Sequence, residues 1–365
     1  MKRQLNFILS TLLILTVALA ASGCKKKAAV LSDYFKSTDW VAQHASDANF
    51  VIIDTRSAAD YAAGHIPGAV SIPRNTFYFA RTQVNGKKFA YDIPTAAELI
   101  DILTANGITP DTTVVSYDTD TSSYGGRSTW VLRVYGHEKS YTIDGGADKW
   151  KDADGRAWDT TPVTPAKSAN PYVIASYFNH RINKADLAAV IDAANGYKTV
   201  KGYVISDVRT PSEYTGFATT VTSGSQSAGT WDVSATPFIY STNVGARPGH
   251  IPYVKFSDYA TDVYTDYLDA SGQPVASTLQ KNHNVQVLKS EADLRAHFAG
   301  LGITSDKIVY NYCEGGFRSG VYTLILLGLG YPEVYNYDGS WNEWSIQDDA
   351  LYPVVTGDSR DGSKP

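Results

Sequence analysis

One nine-residue stretch occurs twice: Gly107-Ile108-Thr109-Pro110-Asp111-Thr112-Thr113-Val114-Val115 returns as Gly302-Ile303-Thr304-Ser305-Asp306-Lys307-Ile308-Val309-Tyr310, an offset of 195 positions. A helical pattern precedes each copy. Thr95 and Glu98 have the spacing of a capping box at the start of the first helix, and Ser290 and Asp293 a weaker version at the start of the second. The glycine that opens each copy ends the helix. The β-rich apolar residues that follow, 113–117 and 307–312, have the pattern of a buried parallel strand.

Two more pairs extend the duplication. Asp54-Thr55-Arg56-Ser57, running through Tyr61 to Gly64-His65-Ile66-Pro67, matches Asp207-Val208-Arg209-Thr210, running through Tyr214 to Gly249-His250-Ile251-Pro252. Asp144-Gly145-Gly146 to Trp150 matches Asp338-Gly339-Ser340 to Trp344. The copies differ most in length: Asp54 to Gly64 is 10 residues and Asp207 to Gly249 is 42, so the second copy carries an insertion of about 32, rich in Thr, Ser and Gly, over 216–247. That composition predicts a polar surface loop. Strands alternating with helices, twice over, predict two open α/β sheets of mainly parallel strands flanked by helices. The reading divides the chain into a domain over 33–158, an extended Thr- and Pro-rich linker over 159–172, a second domain over 173–357 and a tail over 358–365.

The first residues have the pattern of an export leader. Lys2 and Arg3 precede the apolar run from Phe7 to Ala20, which ends in small residues and is shorter than the ~20 needed to span a bilayer. Ala21-Ser22-Gly23-Cys24 resembles the lipobox of bacterial lipoproteins, in which the cysteine is acylated and becomes the new N-terminus. This implies a leader over 1–23 and a lipid-anchored tether over 24–32. Lys25 after the lipid cysteine resembles lipoproteins sorted to an outer membrane, so the expected location is the exported side of a bacterial envelope, at the outer membrane or periplasmic face. Loss of 1–23 removes Lys2 and Arg3 and no acid, moving the net charge from −5 to −7, which argues against a nucleic-acid partner.

The chain has two cysteines. With Cys24 lipidated, Cys313 is the only thiol left, and a lone thiol in an oxidising compartment points to chemistry. It follows the predicted strand and precedes the apolar helical run 321–329, where the sites of open α/β sheets lie. Cys313-Glu314-Gly315-Gly316-Phe317-Arg318-Ser319 joins the two. Two glycines permit turns in which successive N–H groups form an anion-binding nest at a helix N-terminus, stabilising a thiolate or a persulfide anion without a histidine base.

Asp-x-Arg, Gly-His-Ile-Pro, Cys-x-x-Gly-x-Arg-Ser and Asp-Gly-Ser-Trp-x-x-Trp, in this order and in a duplicated frame, resemble the tandem-domain rhodanese family of thiosulfate and mercaptopyruvate sulfurtransferases. The resemblance covers nearly the whole chain after Cys24. It implies two rhodanese-like domains. It also implies that Cys313 takes a sulfane sulfur from a donor such as thiosulfate and passes it, as a persulfide, to an external thiol, cyanide or protein acceptor, without a cofactor. The first domain has Ser116-Tyr117-Asp118 at the matching strand end and no nucleophile. Tyr253 replaces a family glycine, and Glu213 stands where the mercaptopyruvate enzymes carry an arginine, so mercaptopyruvate is disfavoured as donor.

Other readings fit less well. Cysteine phosphatases need five residues between Cys and Arg, whereas Cys313 and Arg318 enclose four. No second cysteine supports a metal site, and none of the seven histidines is assignable to Cys313. A non-catalytic, lipid-anchored sulfur carrier or anion-binding module is the alternative from a different class. Within the enzyme reading, Arg318 is expected to attract an anionic donor and offset the carboxylate of Glu314. Asp207 and Arg209, candidates for orienting the loop, are expected to form an ion pair. His250, matched by His65, is expected to do structural work, and Trp341 and Trp344 to be core.

Overall fold

The computed structural model describes residues 29–83, 86–121, 123–216 and 246–357. The leader, Cys24, nearly all of the 216–247 insertion and the tail lie outside the described residues. Among those described, no helix is long and apolar enough to cross a membrane.

Two five-stranded parallel sheets form, with one strand order. The first runs Val70–Ser71, Phe50–Asp54, Thr113–Tyr117, Ser140–Ile143, Phe35–Lys36. The second runs Lys255–Phe256, Tyr203–Asp207, Ile308–Tyr312, Val334–Tyr337, Arg181–Ile182. Even the central register repeats: Asp54 lies beside Tyr117 as Asp207 lies beside Tyr312. The sequence duplication is therefore a duplication of topology, and both central strands are largely buried, Ser116 and Asn311 included, as parallel strands covered on two faces are.

Local signals act as read. Thr95 and Glu98 close a reciprocal capping box on the helix Ala96–Ala105, and the Ser290 hydroxyl accepts from the Asp293 N–H at the helix Glu291–Gly300. Gly107 and Gly302 follow these helices with φ of +71° and +73°, a conformation only glycine adopts without strain. From Asp154 to His180 the chain is irregular. This segment is tied to the first domain by a bridge between Asp159 and His65 and by hydrogen bonds to Thr104.

The domains share a core. The helix Ser123–Val134 of the first packs directly on Phe317–Gly328 of the second, and a Cβ on Gly126 would lie 2.1 Å from the Val321 side chain. Trp130, Val131, Val321, Leu324 and Ile325 belong to one buried cluster that spans both. Fully burying each such aliphatic side chain contributes about 1.5–3 kcal/mol, so the docking is part of the fold.

Each domain also lays a hairpin over the other. Strands Phe79–Thr82 and Lys88–Asp92 reach the second domain, where the Ala90 N–H donates to Asn342 Oδ1 (2.8 Å) and the Ile93 N–H to Asp338 Oδ2 (3.1 Å). Strands Tyr264–Asp266 and Gln286–Leu288 reach back, the Leu288 N–H donating to Asp144 Oδ1 (2.9 Å). The first hairpin lies against the Cys313 loop.

Candidate active site

Cys313 sits at the end of the strand Ile308–Tyr312 and is 1% exposed. Its N–H donates to Ser340 Oγ (3.1 Å), and its carbonyl accepts from the Trp341 N–H (2.9 Å). The Glu314 carbonyl accepts from the Asn342 N–H (2.9 Å). The second domain's Asp-Gly-Ser-Trp motif thus fixes the loop's entry by its backbone, and Ser340 is held at a φ of +52° to do so.

The exit is fixed differently. Gly316 caps the helix Phe317–Gly328 in the left-handed conformation (φ +80°). A Cβ there would meet Arg127 Nη1 and Asp338 at 2.6–2.7 Å. Gly315 does not have positive φ; its glycine is required because a Cβ would lie 2.4 Å from the Tyr91 ring. The expectation that both glycines serve backbone turns is corrected on this point. The Gly316 carbonyl accepts from Asn336 Nδ2, and Ser319 Oγ donates to Asn336 Oδ1 (2.7 Å). The first helical backbone bond into this segment is from Gly320 to Gly316 (3.2 Å). The preceding N–H groups, of Phe317, Arg318 and Ser319, form the unpaired positive end of the helix, four residues beyond Cys313.

Arg318 departs from expectation in part: its two terminal nitrogens donate to Glu213, at 2.8 and 2.7 Å, while its charge also acts against the rise of the Glu314 carboxyl. Glu213 belongs to the helix Pro211–Thr215 and is 5% exposed. Burial alone would raise its carboxyl, but the charge and hydrogen bonds of Arg318, with Arg209 behind, hold it down to about 2. The two side chains form one ion pair, which leaves no net charge between them.

Asp207 and Arg209 form a buried two-pronged pair (2.9 and 2.6 Å), with Arg209 also donating to the Gly249 carbonyl and Tyr312 Oη to Asp207 (2.7 Å). Asp54, Arg56, Gly64 and Tyr117 repeat this set in the first domain, so the arrangement serves the fold. In the second domain it gains one contact toward the loop region: the guanidinium of Arg209 lies 4.3 Å over the Trp341 ring. His250 and His65 each stack on a tyrosine at 3.8 Å and bond its carbonyl. Trp341 and Trp344 are buried in the second core.

Sequence reasoning missed the first domain's contribution. Phe317 is enclosed edge-on by Tyr78, Tyr91 and Tyr124 at 5.4–5.6 Å, with the Arg127 guanidinium 5.1 Å from its ring centre. Arg127 is 1% exposed; it pairs with Asp338 and donates to the carbonyls of Gly316 (3.3 Å) and Tyr91 (2.9 Å). The available signal was the repeat itself, which sets Arg127 opposite Tyr322 and so marks it as a difference between copies.

The same offset sets Asp118 opposite Cys313. Asp118 is 4% exposed, and its Oδ2 accepts from the Tyr124 N–H (2.7 Å). Burial, with Asp120 adding, pushes this carboxyl up to about 7 against the pull of backbone N–H groups. The first domain therefore keeps the strand–loop–helix frame and fills it with its own acid.

Comparison with known proteins matches the Rhodanese-like domain model to residues 37–153 and 186–347. A thiosulfate sulfurtransferase of Pseudomonas aeruginosa is 28% identical over 312 residues, covering 83% of this chain and 91% of the relative. The sulfur carrier protein TtuD of Thermus thermophilus is 29% identical over 312 residues, covering 84% and 92%. In fold, the chain is similar to a 3-mercaptopyruvate sulfurtransferase from Leishmania major, with a TM-score of 0.62 at 20% identity, covering 88% of this chain and 76% of that one.

Proposed function

The chain belongs to the rhodanese-like domain family, and from that premise we propose that it is a sulfurtransferase that carries a sulfane sulfur on Cys313. The observation that supports this most is the contrast between the two loops. One frame, duplicated strand for strand, holds a buried acid at Asp118 in one copy and a thiol at Cys313 in the other, and Gly316 caps the helix that starts beside the thiol.

With thiosulfate as donor, the Cys313 thiolate attacks the sulfane sulfur. The sulfur–sulfur bond of thiosulfate breaks, its electron pair leaves with sulfite, and Cys313 becomes a persulfide. Cyanide then takes the terminal sulfur as thiocyanate and restores the thiolate. The unpaired N–H groups at the start of the helix Phe317–Gly328 favour the anionic forms along this path. The relatives named as thiosulfate sulfurtransferases support thiosulfate over mercaptopyruvate, as does the pairing of Glu213 with Arg318.

A sulfur carrier that loads but does not turn over is the alternative, and the Thermus relative's name favours keeping it. Steady conversion of thiosulfate and cyanide to thiocyanate, lost in Cys313→Ser, supports the enzyme; loading without turnover supports the carrier. We further propose attachment to the exported side of a bacterial membrane through a lipid on Cys24, on the pattern of residues 1–24. The donor is then a small anion met in the envelope.

A further inference from the structure

One residue of the loop takes no part in the side-chain contacts that hold it. Glu314 follows Cys313 directly and is 6% exposed, and neither of its carboxyl oxygens has a hydrogen-bond partner. Its charged neighbours are Glu213, Arg209 and Arg318, and the side-chain amide of Asn342 is a polar neighbour that makes no hydrogen bond of ordinary length with it. Both arginines are already committed, Arg209 to Asp207 and Arg318 to Glu213. A carboxylate here would be a buried charge without a counter-ion of its own, so the neutral acid is the favoured form. Burial, with the Glu213 charge adding and the two arginines opposing, pushes the Glu314 carboxyl up to about 8.

Arg318 lies within electrostatic reach of both the Cys313 thiol and the Glu314 carboxyl, so the three groups share one site. The first domain has Thr119 at the matching position, so the acid belongs to the cysteine-bearing copy alone. A buried polar group without a partner in a native site asks for a partner that arrives during function.

Resting on the sulfurtransferase reading, we propose that Glu314 carries the proton for the second half of the transfer, giving it to the terminal sulfur of the Cys313 persulfide and taking one from a thiol acceptor. An anionic terminal sulfur repels an incoming thiolate. Once protonated by the Glu314 acid, that sulfur accepts the electron pair. The Glu314 carboxylate left behind removes the proton of the acceptor thiol. The acceptor sulfur then bonds to the terminal sulfur, and the bond to Cys313 breaks with its pair on Sγ. In sum, acceptor thiol and Cys313 persulfide anion give acceptor persulfide and Cys313 thiolate, with Glu314 protonated again and no oxidant or reductant consumed.

The test separates loading from discharge, using the full chain and its Glu314→Gln variant. Loading from thiosulfate is followed by intact mass, and discharge of the loaded protein to a thiol is followed across pH 6 to 10, roughly the range that brackets a carboxyl raised by burial. The variant should still load, and at pH 7 its discharge should slow at least about tenfold more than its loading does, as expected for loss of a positioned acid–base group. The ratio of wild-type to variant discharge cancels the acceptor's own titration and should fall toward one as the pH passes about 8. The cyanide anion, the species that attacks, carries no proton for Glu314 to remove, so discharge to it should show a smaller ratio. Normal loading with unchanged discharge would overturn this role alone. A wild-type chain that takes no sulfur from thiosulfate would overturn both the role and the reading on which it rests.

Discussion

Arg318 and Glu213 join the Cys313 loop to the helix Pro211–Thr215 through two charged hydrogen bonds of 2.8 and 2.7 Å. The pair crosses 105 positions of sequence and is shielded from water on the Glu213 side. It fixes what the loop arginine can do: a guanidinium whose two terminal nitrogens already hold a buried carboxylate is a brace before it is a receptor for a donor.

Arg318→Ala should therefore act on stability. It leaves the buried Glu213 carboxylate with the Thr210 hydrogen bonds and the more distant Arg209 charge but no ion-pair partner, an expected loss of up to roughly 3–5 kcal/mol, while replacing both partners by apolar residues should cost far less. Because the folded-state pKa of Glu213 is depressed to about 2, its contribution is present above the ordinary glutamate value of about 4.3 and is lost as the pH falls toward 2. Denaturant unfolding between neutral and acid pH measures this. Unaltered stability in Arg318→Ala, combined with a raised donor requirement, would instead make Arg318 a donor-binding group.

Gly315→Ala tests the contact between domains. The added methyl would lie 2.4 Å from the Tyr91 ring at an ordinary backbone conformation, so the damage should come from Tyr91 alone. Sulfur loading should slow in Gly315→Ala and recover in the double variant with Tyr91→Gly, which also removes the Tyr91 Cβ that would lie 3.0 Å away. Failure of the second change to restore loading would show that the hairpin does not set the loop's position.

Asp118→Asn should stabilise the protein at alkaline pH. The folded form holds this carboxyl at about 7, so between the ordinary value of 3.8 and 7 the folded state binds more protons than the unfolded. Stability attributable to Asp118 is complete at low pH and is lost as the pH rises through that window, by up to about 1.4 kcal/mol for each pH unit crossed. Asparagine can still accept from the Tyr124 N–H and carries no charge. Equal unfolding midpoints of variant and wild type at pH 8 would contradict this account.

Much of the fold was legible because it rests on local, repeated signals. Thr95 with Glu98, Gly107 with Gly302, and the apolar strands at 113–117 and 308–312 each announce themselves within a few residues, and the repeat ties them into two like sheets. Cys313 was legible as a cysteine at a strand end, followed by a glycine-containing loop. Arg127, Tyr91 and the Glu213–Arg318 pair were not, since each acquires its role from a partner in another element or domain, and no periodicity records such pairing. The misreading of Gly315 has the same origin: a glycine required by a neighbour's ring looks identical in sequence to one required by its own backbone.

The central claim, that Cys313 holds the transferred sulfur, is tested most directly by incubating the full chain with thiosulfate alone and measuring its intact mass. The account predicts a gain of one sulfur atom, mapped to Cys313, absent in Cys313→Ser and removed by cyanide as thiocyanate. No gain in mass, or a gain mapped to any other residue, would contradict it.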